Sequence, residues 1–134
     1  MQIKRCAVKC EYVAYYGQLF TIEWYFNEQA NSQVLDYFNK LAHNKKAKLL
    51  YLFYILADTG KIRNEQKFRY EGNQIYAFKL VSDRFLCFFY EGAKIIITNA
   101  YVKQTDKMPP REKQRALKAK ENYVKRIKAK SYYE

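Results

Sequence analysis

The amino-acid sequence predicts an α+β fold, in which an antiparallel β-sheet is accompanied by an N-terminal helical hairpin and a C-terminal helix. Apolar residues between positions 34 and 57 recur with helical spacing, and residues 75–102 form strand-like runs joined by short connections. A Pro-Pro pair at 109–110 then precedes a long basic segment. At 134 residues, with no Ser/Gly-rich linker, the chain 1–134 is interpreted as a single domain.

The first predicted elements are two strands on either side of Gly17. Residues 7–16 and 18–27 are rich in β-branched and aromatic residues, which favour strands. Because a glycine at this point permits a turn, we expect either a strand pair or one long bent ribbon.

A helical hairpin is predicted next. Asn31 or Ser32 can cap the first helix, and Gly60 supplies the left-handed position that commonly ends the second. Between them, residues 43–46 look like a polar break, and the run 47–57 is too apolar to leave one side exposed, so we expect the second helix to be largely buried. The apolar face of the first helix consists of Val34, Leu35, Phe38, Leu41 and Ala42.

Three strands over residues 75–81, 84–90 and 94–102 should form an antiparallel meander, because the connections 82–83 and 91–93 are of hairpin length. Alternation then separates the middle strand into two mainly apolar faces, so we expect the sheet to be packed on one face and partly covered on the other. One face carries Phe85, Cys87 and Phe89, and the other carries Arg84, Leu86, Phe88 and Tyr90, with Arg84 and Tyr90 near opposite ends.

The last predicted element is a helix from Pro110 to about Lys130, because proline suits the first helical turn and Glu112 follows near the positive N-terminus. Its inward stripe should be Ala116, Leu117, Tyr123, Val124 and Ile127. The residues expected to stay in water are Arg111, Lys113, Arg115, Lys118, Lys125, Lys128 and Lys130.

Charge is the strongest compositional signal. The chain carries 25 basic and 13 acidic residues, a formal net charge of +12, and residues 103–130 hold 11 basic against 3 acidic residues. Such a concentration is typical of a nucleic-acid-binding surface, and a solvated helix face is the alternative.

The sequence excludes several classes of protein. The longest apolar run, 49–57, is far shorter than the about 20 residues of a spanning helix, and Lys9 and Glu11 interrupt any secretory core, so we expect a cytoplasmic protein without membrane contact. The three cysteines (Cys6, Cys10 and Cys87) and the single His43 lack metal-ligand spacing, so we expect neither metal nor cofactor. Cys6 and Cys10 are interpreted as half-buried strand residues, with a redox role as the alternative.

The usual catalytic constellations are missing, since the chain has one histidine and no glycine-rich phosphate loop. Phosphodiester cleavage is still possible, because positioned cations can stabilise the charge that develops on phosphate and orient a 2′-hydroxyl for attack. The ends of the predicted strands and the loop before the last helix should bring such residues together. The catalytic candidates are Lys79, Arg84, Tyr90 and Tyr101, and the RNA-binding candidates are Lys103, Lys107 and Arg111. The alternatives are core or rim tyrosines, solvated lysines, and pairing of Arg84 with Asp83 or Glu91.

Four stretches resemble the phage-derived, HigB-like branch of the RelE/ParE toxin superfamily. They are 34–41, 52–56 ahead of Gly60, 75–79 leading to Arg84, and 100–109 with the sequence AYVKQTDKMP. The last is similar to a family segment with an aromatic residue, Val, basic residues, Thr and a closing Pro. The resemblance implies a RelE-like fold, ribosome-dependent cleavage of mRNA, and inhibition by a cognate helix-turn-helix antitoxin.

The resemblance also implies residue roles. Lys79 and Arg84 match sheet positions that contact the scissile phosphate in RelE-like proteins, and Lys103 and Lys107 match the basic segment after the last strand. The chain departs from the family pattern at Ala77, Cys87, Asn99 and Gln104. The predicted function is therefore that of a type II toxin, a metal-independent mRNA interferase. The alternatives are a ParE-like gyrase inhibitor and a non-catalytic, phage-derived RNA-binding protein. Oligomeric state is left open.

Overall fold

A computed structural model describes residues 11–133, which form an α+β arrangement of a six-stranded mixed sheet and three helices. The strands are β1 (Val13–Tyr16), β2 (Thr21–Trp24), β3 (Phe68–Tyr70), β4 (Tyr76–Lys79), β5 (Asp83–Tyr90) and β6 (Lys94–Val102). The helices are α1 (Gln33–Asn39), α2 (His43–Thr59) and α3 (Pro110–Lys128). The strand order is β1-β2-β6-β5-β4-β3. Within residues 11–133 no helix has the length and apolar character needed to cross a bilayer.

The predicted strand pair around Gly17 is confirmed, since β1 and β2 are antiparallel neighbours. Residues 7–10 of the predicted first strand, with Cys6 and Cys10, lie outside the described part. The expectation of a wholly antiparallel sheet is wrong, because β2 pairs in parallel with β6, from Thr21 opposite Lys94 to Trp24 opposite Ile97. The long intervening chain allows β2 and β6 to run in the same direction, as parallel pairing requires.

The β1–β2 turn is fastened to the end of α2. The carbonyl oxygen of Ala57 accepts hydrogen bonds from the backbone N–H groups of Leu19 at 2.7 Å and Phe20 at 3.1 Å. Gly17 lies so close that a Cβ added to it would overlap Ala57. The glycine is therefore required by close packing rather than by an unusual backbone conformation.

The helical hairpin is confirmed, and Ser32 caps α1 by accepting a hydrogen bond from the N–H of Leu35 at 3.1 Å. Three details differ from the prediction. Helix α1 ends at Asn39, so Leu41 and Ala42 lie in the connection to α2 instead of on the first helix. Residues 43–46 are the first turn of α2, not a break before it. The first turn can be polar because the buried face of this helix begins only at Leu49. The helix also has a wet side, on which Tyr51 and Tyr54 are 61% and 44% exposed, because only one face packs on the sheet. Its buried residues are Leu49, Leu52, Phe53, Leu56 and Ala57.

The predicted meander is confirmed as β4, β5 and β6, all antiparallel. A bulge interrupts the last pair, because Leu86 lies opposite Asn99 while Cys87 lies opposite Ile97. Both faces of the sheet are buried, which is more than predicted. The hairpin helices cover Phe85 and the other residues of its face, and α3 covers Phe88 and its neighbours. The short edge strand β3 was not predicted.

Helix α3 begins at the predicted proline and ends slightly early, at Lys128. Ala116 and Tyr123 are fully buried against the sheet, as the apolar stripe predicts. Among the α3 side chains that were predicted to be solvent-exposed, Lys113 is the exception. It is half-buried and its ammonium donates to the carbonyl oxygen of Glu71 at 2.9 Å, which ties α3 to the loop after β3.

Candidate functional site

Three of the predicted site residues form a row across the sheet. Lys79 on β4 lies opposite Arg84 on β5, and Arg84 lies opposite Tyr101 on β6. Residues that are opposed in an antiparallel sheet point to the same face, which here is the face that α3 covers farther along the strands. The row therefore presents two cations and a phenol at the uncovered end of that face.

This row forms part of a cavity of about 510 Å³. Its lining residues are Arg69, Glu71, Lys79, Arg84, Tyr101, Lys103, Thr105, Asp106, Lys107 and Met108. Among these described residues, five side chains are cationic and two are acidic, so the cavity is strongly positive. The expected convergence of the strand ends and the segment before α3 is thus present in the structure.

Two candidates lie elsewhere. Tyr90 is six residues beyond Arg84 on the same strand, about 20 Å away, and packs edge-on against Tyr123 with a centroid distance of 5.2 Å. The prediction that Tyr90 lies beside Lys79, Arg84 and Tyr101 is therefore wrong, because β5 places it at the opposite end of the sheet. Arg111 is exposed in the first turn of α3 and does not line the cavity.

Arg84 is fixed by the turn that precedes it. One terminal nitrogen of its guanidinium donates to the carbonyl oxygens of Leu80 at 2.6 Å and Asp83 at 3.0 Å. The Asp83 carboxylate is instead held by the hydroxyl of Tyr37 at 2.6 Å and the ammonium of Lys45 at 3.1 Å. The suggested ion pair of Arg84 with Asp83 is therefore not formed, and the rest of the guanidinium can contact an anion.

The two lysines of the cavity differ in environment. Burial lowers the pKa of Lys79, and the nearby charges of Arg84 and Arg69 lower it further. Lys103 forms an ion pair with Asp106 at 3.3 Å, but the Asp106 side chain is fully exposed, and such surface pairs are weak. A phosphate can therefore replace Asp106 as the partner of Lys103 at little cost.

Tyr101 retains its proton at neutral pH. Burial raises the pKa of Tyr101 to about 12, and Glu71 and Glu112 add to that rise while Arg84 opposes it. A neutral phenol can donate a hydrogen bond and can stack on a base, but it cannot act as a general base near pH 7. This restricts the role that the sequence assigned to Tyr101.

A buried polar network holds the start of α3 against β6. The amide nitrogen of Asn99 donates to the carbonyl oxygen and to the carboxylate of Glu112, both at 3.1 Å. Thr98 donates to the Asn99 side-chain oxygen at 2.6 Å, and Arg115 pairs with Glu112 at 3.5 Å. The network fixes both ends of the segment that carries Lys103 and Lys107.

None of the four departures from the resembled family lines the cavity. Ala77, Cys87 and Asn99 are buried, and Gln104 is exposed without lining the cavity. Burial raises the pKa of the Cys87 thiol, so this side chain is an inert part of the core. The cationic row is thus complete without these positions.

Arg69 and Glu71 were not predicted as site residues. Both are in or next to β3, a strand of only three residues that sequence patterns do not distinguish from a loop. The alternation of Phe68, Arg69 and Tyr70 was the available signal, because it places the arginine on the face opposite Phe68.

The fold and this cavity together define a basic α+β protein whose cationic row crosses one end of a mixed sheet. The family model of the phage-derived Gp49-like proteins (DUF891) matches residues 36–121, a range that includes Lys79, Arg84 and Tyr101. The chain belongs to this family. A search of curated proteins gave no match.

Proposed function

We propose that the protein is the toxin of a type II toxin–antitoxin system, a HigB-like member of the RelE/ParE superfamily that cleaves mRNA on the ribosome. The observation that carries the proposal is the row of Lys79, Arg84 and Tyr101 that lines a cationic cavity. Membership of a phage-derived family and the resemblance of four sequence stretches support it. The RelE-like fold is part of the same proposal.

Lys79 and Arg84 are assigned to the scissile phosphate, because they are the two cations of the row and lie opposite each other on neighbouring strands. Lys103 and Lys107 are assigned to the neighbouring phosphates, since they follow the strand that carries Tyr101 and line the same cavity. Arg69 extends this path to the edge of the sheet. Because Lys79 and Arg84 share one phosphate, these five cations would neutralise four phosphates, which gives a log–log dependence of RNA affinity on salt with a slope of about −2.8 for a single strand.

The proposed reaction is transesterification within the RNA. The 2′-hydroxyl loses its proton as its oxygen attacks the adjacent phosphorus, the bond to the 5′-oxygen breaks, and the departing 5′-oxygen takes up a proton, so the products are a 2′,3′-cyclic phosphate and a 5′-hydroxyl. Lys79 and Arg84 stabilise the negative charge that develops on the phosphate oxygens. Tyr101 donates a hydrogen bond from its neutral phenol, and Lys79, with its lowered pKa, exchanges a proton more readily than an ordinary lysine.

The proposed partners are mRNA on the cytoplasmic ribosome and a cognate helix-turn-helix antitoxin. The neighbouring open reading frame tests the second partner directly, because toxin and antitoxin genes are adjacent in such systems. A short helix-turn-helix protein encoded there, which restores growth when it is expressed with this chain, is the expected result.

The decisive experiment is induced expression followed by primer extension on cellular mRNA. Growth should stop and transcripts should be cut inside codons, and Arg84→Ala should abolish the cuts while circular dichroism shows the fold retained. Lys118→Ala, which removes an exposed cation of α3 outside the cavity, should cut normally. Normal growth with intact transcripts would refute the proposal. Blocked supercoiling with intact translation would select the gyrase inhibitor, and salt-dependent RNA binding without cleavage would select the RNA-binding protein.

A further inference from the structure

We propose that single-stranded RNA continues from the cationic cavity over the edge of the sheet, where its bases stack on Tyr70 and Tyr76. We call this region the β3-edge surface and define it by Tyr70, Tyr76, Phe89, Lys61, Arg63 and Arg69. The inference rests on the proposed function for the identity of the polymer, but it concerns a surface that lies outside the cleavage row.

The aromatic side chains of this surface form a supported platform. Tyr70 is 53% exposed on the edge strand, and its ring lies 5.0 Å from that of Tyr76. Tyr76 is in turn stacked on Phe68, at 5.3 Å and 4°, and touches Phe89 edge-on at 5.1 Å. Because these rings are held in place, little conformational entropy is lost when a base stacks on them.

Space and charge are both available beside the platform. A cavity of about 630 Å³ lies against the rings, and a second one of about 320 Å³ is lined by Tyr70, Gln74, Tyr76 and Phe89. The larger cavity also contacts Lys61, Arg63 and Arg69, with Glu65 as the one acid among its described lining residues. Stackable rings between cations are the combination by which proteins hold single-stranded nucleic acid.

The β3-edge surface adjoins the cationic cavity. Arg69 lines both cavities, so they are separated by one edge strand, about 5 Å wide. Arg69 and Tyr70 are consecutive residues of β3 and point to opposite faces. An RNA strand that crosses the edge can therefore keep a phosphate on Arg69 while a base of the next nucleotides lies on Tyr70.

The platform also fits RNA better than it fits a protein partner. Two of the three partly exposed rings are tyrosines, Tyr70 and Tyr76, and the third is Phe89. Around these rings three cations outnumber two aliphatic residues, Leu56 and Ile62. Charged residues on an edge strand can have another purpose, since they prevent sheets from pairing edge to edge. Prevention of edge pairing requires only charge and gives no role to an exposed tyrosine ring. Deletion of the ring should therefore weaken RNA binding if bases stack on it, and should leave RNA binding unchanged if the charges only prevent edge pairing.

The test is fluorescence anisotropy with a fluorescein-labelled 2′-O-methyl oligoribonucleotide, which lacks the attacking hydroxyl and stays intact. Tyr70→Ala should weaken binding about 10-fold or more, and Tyr70→Phe should bind like the parent because the ring is kept. The matched control is Tyr16→Ala, which removes a 77% exposed tyrosine from β1 at the opposite edge of the sheet and should leave the affinity unchanged. Lys61→Ala with Arg63→Ala should make the salt slope shallower by about 1.4.

A scan of abasic positions in the same oligonucleotide identifies stacking itself. One or two abasic positions should weaken binding to the parent protein and have no further effect on Tyr70→Ala, since the partner ring is already gone. A loss of affinity of the same size for every abasic position would overturn stacking. An unchanged affinity of Tyr70→Ala, or a loss of affinity that coincides with altered self-association of this variant, would overturn it as well. If the parent does not bind the oligonucleotide, the inference fails while primer extension still decides the proposed function.

Discussion

Lys79 and Arg84 occupy directly opposed positions on neighbouring strands, so two like charges face each other across a sheet. Such pairs destabilise a sheet, and here burial of Lys79 adds to the cost. The arrangement persists because the surrounding structure fixes it. The carbonyl oxygens of Leu80 and Asp83 hold the guanidinium of Arg84, while Tyr37 holds the carboxylate of Asp83. A local conflict of this kind is typical of a functional site.

Removing one of the two charges should stabilise the protein. Lys79→Met keeps most of the side-chain volume and relieves the repulsion, so we expect the free energy of unfolding to rise by about 0.5 kcal/mol while cleavage is lost. Urea unfolding measures the first effect and primer extension the second. Lys118→Met, on the exposed face of α3, should show neither change. A fall in stability greater than that of the control would contradict the destabilising role of the pair.

The lowered pKa of Lys79 predicts a pH dependence of RNA binding. A phosphate needs the protonated ammonium, and Lys79 loses its proton at lower pH than an ordinary lysine, so affinity should decline as pH rises toward 10. Lys79→Arg should flatten this decline because arginine stays charged. Titration of a 2′-O-methyl oligonucleotide avoids alkaline cleavage of the probe. Identical pH profiles for the two proteins would remove Lys79 from the phosphate contact.

Tyr101 should act through its hydroxyl proton. Tyr101→Phe keeps the ring and deletes the donor, so we expect the cleavage rate to fall about 10²-fold with little change in stability. With the pKa of Tyr101 raised to about 12, the parent should show no loss of rate from tyrosine ionisation between pH 7 and about 10. Single-turnover cleavage on programmed ribosomes is the measurement. A rate for Tyr101→Phe equal to that of the parent leaves the ring only a stacking role.

Asn99 should be a structural residue despite its position near the site. Asn99→Ala leaves the buried carboxylate of Glu112 without its amide donor, so the free energy of unfolding should fall by about 1–3 kcal/mol. Combining it with Glu112→Ala should cost less than the sum of the two single effects, because the partners belong to one network. Thermal unfolding monitors both, with the exposed Asn44→Ala as a control. Full additivity would show that the network is not coupled.

The parts of the fold that local patterns encode were predicted well. The meander follows from alternating strands with two short turns, and α3 follows from a proline start and an apolar stripe. The parallel contact between β2 and β6 was missed, since a pairing between distant segments leaves no periodic trace in either one. Strand β3 was missed because three residues are too few to show a period.

Site residues on strands with predictable pairing could themselves be predicted. Lys79, Arg84 and Tyr101 were found because their residue types lie at ends of strands whose pairing was predictable. Tyr90 was misplaced even though the six residues that separate it from Arg84 already fix a distance of about 20 Å along one strand. Arg69 was overlooked together with β3, and it is the residue that links the cavity to the edge of the sheet.

The parallel contact of β2 with β6 has a consequence for biosynthesis. The two strands lie about 70 positions apart in the sequence. In a nascent chain β2 is therefore paired with β1 alone until β6 has left the ribosome. Tyr101 is on that late strand, and Lys103 and Lys107 come after it. The proposed RNA-binding surface consequently assembles only after β6 has been synthesised, and a fragment that terminates before β6 leaves β2 and β5 as two further open sheet edges, beside β1 and β3.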